Sequence, residues 1–229
     1  MIGDKRVLAI IPARGSSKGI YRKNIRMLAG KPLIAWTIDV AHNVREIDRV
    51  ILTTDDPEIA TVGQRYGCDV PFMRPNELAG DNAPGIAPVL HALEMLPGYD
   101  IVVLLQPTSP LRLKEDVVAC IKVVATGAPA CVTVQSLRHG IHLLYEMDSQ
   151  ANLVPACSKE FSTARRQDTQ KVQMLNGAVY AADIAELLKH KSFLFQGMKA
   201  HEMPPHRSID IDDQLDLEMA ELLLSKGFV

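Results

Sequence analysis

The chain has 229 residues, of which 47% are hydrophobic and 23% are charged, and its formal net charge is −2. This length suits one large α/β domain over residues 1–229 and is too short for two domains of ordinary size. A slightly acidic chain is not expected to bind nucleic acid. The N-terminus is charged, and no apolar run reaches the ~18 residues of a membrane span, which predicts a cytoplasmic protein without signal peptide or membrane contact.

The first predicted strand, Val7–Pro12, is a continuous apolar run typical of a buried parallel strand. The segment Arg14–Arg26 follows it with five cationic side chains and no acidic one. Glycines at 15 and 19 let backbone N–H groups approach an anion, and the cations supply the field that a polyphosphate needs. A solvated basic loop is the alternative, but the order of strand, glycine and cation favours phosphate binding. Neither the Walker A nor the Rossmann glycine pattern fits this loop.

Apolar strands and helical segments then alternate along the chain. The predicted elements are helix Leu33–Asn43, strand Val50–Thr53, helix Pro57–Tyr66, a short strand near Val70–Phe72, helix Ile86–Leu96, strand Ile101–Leu105, helix Lys114–Ala125 and strand Ala130–Val134. Such alternation predicts right-handed crossovers and a Rossmann-like, mostly parallel sheet covered on both faces. Ligands bind such sheets beyond the carboxyl ends of the strands, where Arg14, Asp55, Gln106 and Thr108 fall.

The pair Asp55 and Asp56 follows the second long strand and allows two interpretations. These carboxylates either contact the ligand or cap the next helix. The cap is favoured, because Asp56 precedes Pro57 at a first helical position.

The alternation breaks between Leu137 and about Lys171, where the sequence is polar and weakly patterned. Asp148–Asn152 is a predicted hairpin turn within it. Because compact domains rarely contain so long an irregular loop, we predict that the segment at about 137–171 forms an arm. A core strand resumes at Gln173–Ala181. The last element, Asp213–Lys226, is predicted as an amphipathic helix with Leu215, Met219, Leu222 and Leu223 on one face.

Asp210 and Asp212 are two residues apart, which in extended backbone places both carboxylates on one side. Carboxylate oxygens of this kind suit Mg²⁺, which also keeps waters and bridges substrate phosphates. The alternative is that Asp212 or Asp213 only caps the last helix.

Cysteine and histidine spacings do not predict a metal site. The cysteines lie at irregular intervals without a Cys-x-x-Cys pair, which favours reduced packing residues. His139 and His142 lack a third ligand at a suitable spacing and are interpreted as arm or surface residues. The four cysteines are Cys68, Cys120, Cys131 and Cys157.

Five motifs resemble the cytidylyltransferases that activate sialic and related nonulosonic acids. They occur in the family's order over most of the chain. Ser16 and Tyr21 depart from a frequent Gly and Pro of the first motif. The motifs are Ile11–Asn24, Gly30–Ile34, Gln106–Arg112, Asn176–Tyr180 and Ser208–Asp212.

The resemblance implies a Mg²⁺-dependent enzyme that converts CTP and a nine-carbon 2-keto acid sugar to a CMP-sugar and pyrophosphate. It also implies a homodimer, in which the arm at about 137–171 packs on a second copy of the chain. It implies that Arg14, Lys23 and Asp212 are catalytic and that Asp210 and Asp212 hold Mg²⁺. A further hypothesis is that Asp212 helps deprotonate the sugar hydroxyl, directly or through a metal-bound water. The implied nucleotide-binding residues are Arg14, Ser17, Lys18, Lys23 and Asn24 for the phosphates, Arg74 for the base, and Ala83 and Gly85 through main chain.

The resemblance also implies a set of sugar contacts. Arg166 matches a position that reaches the carboxylate of a sugar bound by the other subunit. Tyr180 is alternatively a core residue of its strand. Leu194 stands where the family often has a second aromatic, so the acyl specificity stays open. The implied sugar-binding residues are Gln106, Thr108, Arg166, Asn176, Tyr180 and Phe193.

Two other functions remain open from the sequence. The first is a CMP-Kdo synthetase, which shares the fold and chemistry but resembles the first loop and the Asn176–Tyr180 motif less. The second is a non-catalytic nucleotide-sugar sensor on the same fold. The presence of Arg14, Lys23, Asp210 and Asp212 together argues against a sensor, because binding alone does not need the metal carboxylates.

Overall fold

The structure is a computed structural model that describes residues 1–17, 19–80, 83–137, 140–156 and 171–228. Its strands are β1 (Val7–Pro12), β2 (Met27–Leu28), β3 (Lys31–Pro32), β4 (Arg49–Thr53), β5 (Ile101–Leu104), β6 (Ala130–Ser136), β7 (Tyr145–Met147), β8 (Leu153–Pro155), β9 (Gln173–Asp183) and β10 (Lys199–Glu202). Its α-helices are α1 (Leu33–His42), α2 (Pro57–Arg65), α3 (Ala87–Met95), α4 (Lys114–Ala125), α5 (Ile184–His190) and α6 (Gln214–Ser225).

A six-stranded sheet with the order β10-β6-β9-β5-β1-β4 forms the centre of the fold. Strand β1 pairs in parallel with β4 and β5, and β10 pairs in parallel with β6. Strand β9 runs antiparallel to both of its neighbours, β5 and β6. All strands of this sheet except β9 therefore point the same way, which confirms the predicted mostly parallel sheet.

The strand register brings three loops to one edge of the sheet. Ile11 of β1 lies opposite Leu52 of β4, and Ile10 lies opposite Leu104 of β5. The carboxyl ends of the three strands are therefore level with one another. The loops that begin after them carry the first basic motif, the Asp55–Asp56 pair and the motif that starts at Gln106, so these lie together where α/β sheets bind ligands.

Apolar side chains of β1 alternate between the two faces of the sheet. Val7, Ala9 and Ile11 pack with α1, α2 and α4, whereas Leu8 and Ile10 pack with α3 and α5. Full burial of one such large apolar side chain contributes roughly 1.5–3 kcal/mol. Helices cover both faces, as the sequence predicts.

The described part of the predicted arm is a small hairpin separate from the main sheet. Strands β7 and β8 pair antiparallel, with Met147 opposite Leu153. The Asp148 carboxylate accepts hydrogen bonds from the backbone N–H groups of Gln150 and Asn152, both at 2.9 Å, which closes the predicted turn. Residues 157–170 of the arm lie outside the described residues.

Two sequence predictions were wrong. No strand forms at Val70–Phe72, where the described chain makes only isolated bridges at Asp69 and Met73. Pro71 explains this, since proline has no N–H to donate to a ladder.

The apolar face expected for the last helix was wrong at three of its four residues. Leu215, Met219 and Leu222 are exposed, whereas Leu223 packs against the core. The buried residues of α6 are instead Leu217 and Ala220. Leucines lie on more than one side of this helix, so periodicity alone does not identify the buried side.

Three of the four cysteines behave as the sequence predicts. Cys68, Cys120 and Cys131 are buried free thiols, and Cys157 lies outside the described residues. Burial raises the pKa of the Cys68 thiol to about 12, which keeps it protonated and unreactive. None of the helices in the described ranges has the length and apolar character needed to span a membrane.

Candidate active site

A cleft of about 470 Å³ opens at the carboxyl edge of the parallel strands. It brings together nine of the residues that the sequence predicts for nucleotide, sugar or metal binding. They are Arg14, Ser17, Lys23, Asn24, Arg74, Gly85, Gln106, Thr108 and Asp212.

The loop that follows β1 is shaped by hydrogen bonds from its own neighbours. The Asn24 amide donates to the Arg14 carbonyl oxygen at 2.9 Å, and the Gly15 N–H donates to Asp55 at 3.2 Å. A Cβ atom at Gly19 would overlap the carbonyl oxygen of Asp212, so only glycine fits there. The buried Asn24 thus sets the course of the loop. Lys18 lies outside the described residues.

Arg22 was expected to add to the phosphate field, but its side chain is engaged elsewhere. Its guanidinium contacts Asp56 at 3.1 Å and Glu58 at 2.8 Å, at the start of α2. Asp56 also accepts hydrogen bonds from the N–H groups of Glu58 and Ile59, which confirms the predicted helix cap. Arg22 therefore anchors the loop to α2 and does not line the cleft.

Lys23 joins two predicted site segments. They are Arg14–Arg26, the predicted phosphate loop, and Ser208–Asp212, the acidic motif. Its Nζ donates to the Ile211 carbonyl oxygen at 2.7 Å and to Asp212 Oδ1 at 3.1 Å. The Lys23 side chain is largely buried, whereas that of Asp212 is 80% exposed. The cation is thus held in place, and the carboxylate faces the open cleft.

Asp210 lies deeper than Asp212. Burial raises the pKa of Asp210, and the charge of Asp212 adds to this rise. A hydrogen bond from the Thr108 hydroxyl and the charge of Lys23 act in the opposite direction. One carboxylate oxygen of Asp210 is buried and has no hydrogen-bond partner within the described part of the chain. Such an atom needs a cation or a donor to offset its lost hydration.

Binding of Mg²⁺ by the two carboxylates stays a prediction, and their chemistry is compatible with it. The described ranges contain no group of three or more His, Cys, Asp or Glu side chains that could hold a metal ion. Mg²⁺ does not require one, because one or two carboxylates with substrate phosphates and waters complete its shell. The orphaned oxygen of Asp210, beside the exposed carboxylate of Asp212, fits this mode of binding.

The segment that carries Asp210 and Asp212 is held at several points. The Ile211 N–H donates to the Thr108 carbonyl oxygen at 2.8 Å, which ties the segment to the loop after β5. Arg207 pairs with the buried Asp116 of α4, which also contacts His201 at 3.1 Å. These contacts fix the backbone on which the two carboxylates stand.

Arg112 is a buried structural cation whose role the sequence did not predict. Its guanidinium donates to the Ala178 carbonyl oxygen at 2.8 Å, to Thr37 Oγ1 at 2.7 Å and to the Gln106 carbonyl oxygen. Burial lowers the pKa of Arg112 to about 9, and the nearby Asp116 and Asp210 oppose this shift. Arg112 thereby joins α1, β9 and the Gln106 loop beneath the cleft. Its place in the Gln106–Arg112 motif was the only available signal.

Arg74 lines both the main cleft and a second cavity of about 420 Å³. Arg14 and Gly85 line both cavities, and the predicted base contact Ala83 lines the second. Arg74 is only 5% exposed and pairs with Asp55 at 2.9 Å. The predicted phosphate and base residues are therefore contiguous.

The predicted sugar contacts are only partly brought together. Gln106 and Thr108 line the cleft, and Gly177, with a φ of +75°, lies against the side chains of Gln106 and Asp210. Burial raises the pKa of the Tyr180 hydroxyl, and the charge of Asp210 adds to that rise.

Asn176 and Phe193 do not line the cleft. Asn176 is 4% exposed, and its amide donates to Ser208 Oγ at 3.0 Å and accepts from the Ala178 N–H at 3.2 Å. Phe193 is a core residue that packs on the Tyr180 ring at 5.7 Å. Sugar contact by either side chain stays a prediction, and protein contacts already occupy both. Arg166 lies outside the described residues.

Three features lie at the carboxyl edge of the mostly parallel sheet: a cationic loop, a pair of carboxylates and a second cavity. Together they define a nucleotide-binding α/β protein. A family model described as cytidylyltransferase matches residues 8–195. The chain belongs to this cytidylyltransferase family, as its five motifs predicted.

Several similar proteins carry names that refer to related acids. The chain is 34% identical over 225 residues to a CMP-N,N'-diacetyllegionaminic acid synthase of Legionella pneumophila, covering 96% of each. It is 33% identical to a pseudaminic acid cytidylyltransferase of Campylobacter jejuni, covering 94% of this chain and 95% of the relative. An N-acylneuraminate cytidylyltransferase of Escherichia coli is 33% identical over 96% of this chain, which spans 52% of that longer relative.

Solved structures support the fold assignment. A CMP:2-keto-3-deoxy-manno-octonic acid synthetase complexed with CTP matches with a TM-score of 0.74 at 17% identity, covering 97% of this chain and 99% of that one. A 4-diphosphocytidyl-2C-methyl-D-erythritol synthase from Anaerococcus prevotii matches with a TM-score of 0.67 at 16% identity, covering 96% and 99%. At these identities the likeness concerns the fold alone.

Proposed function

We propose that this protein activates a nonulosonic acid, a nine-carbon 2-keto acid sugar, with CTP to give the CMP-sugar and pyrophosphate. The observation that carries the proposal is the contact of Lys23 with Asp212, which joins the phosphate loop to the acidic motif inside one cleft. Relatives named for diacetyllegionaminic, pseudaminic and N-acylneuraminic acids support this class of sugar.

In the proposed reaction a sugar hydroxyl attacks the α-phosphorus of CTP. A bond forms between the sugar oxygen and this phosphorus, and the bond to the β-phosphate bridging oxygen breaks as pyrophosphate leaves. Arg14 and Lys23 line the cleft and neutralise the charge that grows on the leaving group. Asp212, whose carboxylate faces the cleft, accepts the hydroxyl proton and passes it to solvent.

Asp210 and Asp212 are the residues that would hold Mg²⁺ in this proposal. Bound there, Mg²⁺ would supply charge neutralisation at the substrate phosphates. Support comes from the buried, unpartnered oxygen of Asp210. The hydrogen bond from the Ile211 N–H to the Thr108 carbonyl oxygen holds the backbone between the two carboxylates.

The proposed sugar site adjoins Gln106, Thr108 and Tyr180. Gln106 and Thr108 offer an amide and a hydroxyl to the sugar within the cleft. The described residues around them include no arginine assigned to the sugar carboxylate, and Arg166 is proposed for that role. Leu194, 46% exposed, occupies a position where relatives of this type often have an aromatic, so a difference in the acyl-group contact is expected there.

A homodimer is part of the proposal. An isolated two-stranded hairpin is marginally stable in water, so the arm needs a surface to pack on. The hairpin also exposes Tyr145, Met147, Leu153 and Val154, an apolar set unusual for a free surface. A second copy that covers this hairpin would bury these side chains and bring its own arm near the first cleft. The buried free cysteines support a cytoplasmic location.

Pyrophosphate release tests the proposed function. The protein is incubated with Mg²⁺ and CTP, and with N-acetylneuraminic, legionaminic or pseudaminic acid or Kdo in turn. We expect release with at least one nonulosonic acid and little with Kdo. A preference for Kdo would instead assign a CMP-Kdo synthetase, and CTP binding without turnover of any acid would assign a sensor.

A further inference from the structure

Asp55 connects two parts of the cleft that lie far apart in the sequence. A single carboxylate oxygen, Oδ1, accepts a hydrogen bond from the Gly15 N–H at 3.2 Å and one from the Arg74 guanidinium at 2.9 Å. Gly15 belongs to the phosphate loop after β1, whereas Arg74 follows the bridge beside β4 and lines the second cavity. Movement of Asp55 would therefore disturb both contacts.

Arg74 depends on this carboxylate. Its side chain is 3% exposed, and its Nε is buried without a hydrogen-bond partner within the described ranges. A buried guanidinium without an acidic partner is strongly unfavourable, so Asp55 both neutralises Arg74 and sets its orientation. Arg74 also lines both cavities, so a ligand that fills them meets this residue.

The neighbouring Asp56 shows that Asp55 is not needed for the helix. Asp56 caps α2 through the N–H groups of Glu58 and Ile59 and pairs with Arg22. Asp55 makes no hydrogen bond of this capping kind among those that the structure describes. The two adjacent acids therefore have different roles, since Asp56 caps the start of a helix and Asp55 contacts Gly15 and Arg74.

We propose that Asp55 is a positioning residue that sets both the affinity for CTP and the choice of cytosine over uracil. This inference rests on the proposed function. A guanidinium offers only donors, and cytosine N3 is an acceptor whereas uracil N3–H is a donor. An Arg74 held against the base by Asp55 therefore favours cytosine. The same carboxylate holds the Gly15 N–H, so base recognition and the phosphate loop are coupled.

The test compares CTP with UTP in the full-length protein carrying Asp55→Asn. Binding of each nucleotide is measured by calorimetry without sugar, and KM and kcat are measured with the preferred acid. We expect the ratio of CTP to UTP affinity to fall about 10-fold or more, as loss of a charged hydrogen bond implies, with KM for CTP rising more than kcat falls. Asp69→Asn removes another aspartate that pairs with an arginine, Arg49, at the surface, and is expected to leave the ratio unchanged.

A double-mutant cycle separates positioning from general damage. In an Arg74→Met background, Asp55→Asn is expected to change the CTP to UTP ratio little, because the side chain that it positions is gone. If Asp55→Asn does not fold, Asp55→Glu keeps the charge, displaces Arg74 and is expected to lower the ratio too. An unchanged ratio in a folded Asp55 variant overturns the inference. A wild-type protein that binds CTP selectively but activates no acid overturns the proposed function and leaves this inference testable.

Discussion

The nucleotide side and the sugar side of the cleft are built in different ways. On the nucleotide side, hydrogen bonds within the chain connect the predicted site residues. Asn24 donates to Arg14, Lys23 donates to Ile211, and Arg74 donates to Asp55. On the sugar side, Gln106 and Thr108 line the cleft, and the arm, which carries the predicted sugar contact Arg166, exposes apolar side chains. This difference supports the proposal that one chain forms the nucleotide site, whereas a second copy completes the sugar site.

The Asp212→Asn variant tests the nucleotide side with the largest expected effect. A neutral amide neither neutralises a cation nor accepts a proton as a carboxylate does, so turnover should fall by about 10³-fold or more. Steady-state rates across Mg²⁺ concentrations, with circular dichroism as the folding control, measure this. Near-normal turnover in the folded variant would contradict the role of Asp212.

Subunit mixing tests whether the sugar side is completed by a second chain. Arg166→Ala and Asp212→Asn proteins should each be nearly inactive, yet a mixed dimer pairs both lesions in one site and leaves the other intact. Random exchange should restore about a quarter of wild-type activity, because half of the dimers are mixed and each has one intact site. If mixed dimers form and recover nothing, Arg166 does not act across the interface.

Lys23→Ala sharpens the account of the leaving group. Because the charge contact strengthens as pyrophosphate departs, kcat should fall by on the order of 10²-fold. Lys114→Ala, at an exposed position in the first turn of α4, serves as the matched control and should be unaffected. A raised KM for CTP with unchanged kcat would mean that Lys23 contributes only uniform binding.

Two similarly exposed leucines allow the arm to be compared with α6 as a dimer interface. Leu153 on the arm is 65% exposed, and Leu215 on α6 is 64% exposed. Leu153→Asp should weaken the dimer by about 10-fold or more, because a charge would be buried at the interface, whereas Leu215→Asp should leave it intact. Sedimentation velocity over a dilution series measures both, and the opposite ranking would move the interface to α6.

The parts of the site that the sequence predicts are those that local patterns describe. The apolar run Val7–Pro12 followed by glycines and cations identified β1 and its phosphate loop. The i, i+2 spacing identified Asp210 and Asp212, and Pro57 identified the cap at Asp56. Each of these signals depends on residues that are close together in the chain.

The parts that the sequence missed depend on contacts between distant segments. Arg112 reaches Thr37 and Ala178, and Asp116 meets Arg207, across separations that no spacing rule covers. The pairing of Asp55 with Arg74 is of the same kind. Leucines lie on several sides of α6, and only its tertiary contacts determine that Leu217 and Ala220 are the buried residues.

A label experiment tests the central claim, that a sugar hydroxyl attacks the α-phosphorus of CTP, most directly. The preferred nonulosonic acid carries a heavy oxygen isotope in its anomeric hydroxyl, and the products are analysed by mass spectrometry. The account predicts that the label bridges sugar and phosphorus in the CMP-sugar, with one unlabelled pyrophosphate released per molecule. Formation of free CMP without a sugar adduct, or loss of the label from the CMP-sugar, would contradict it.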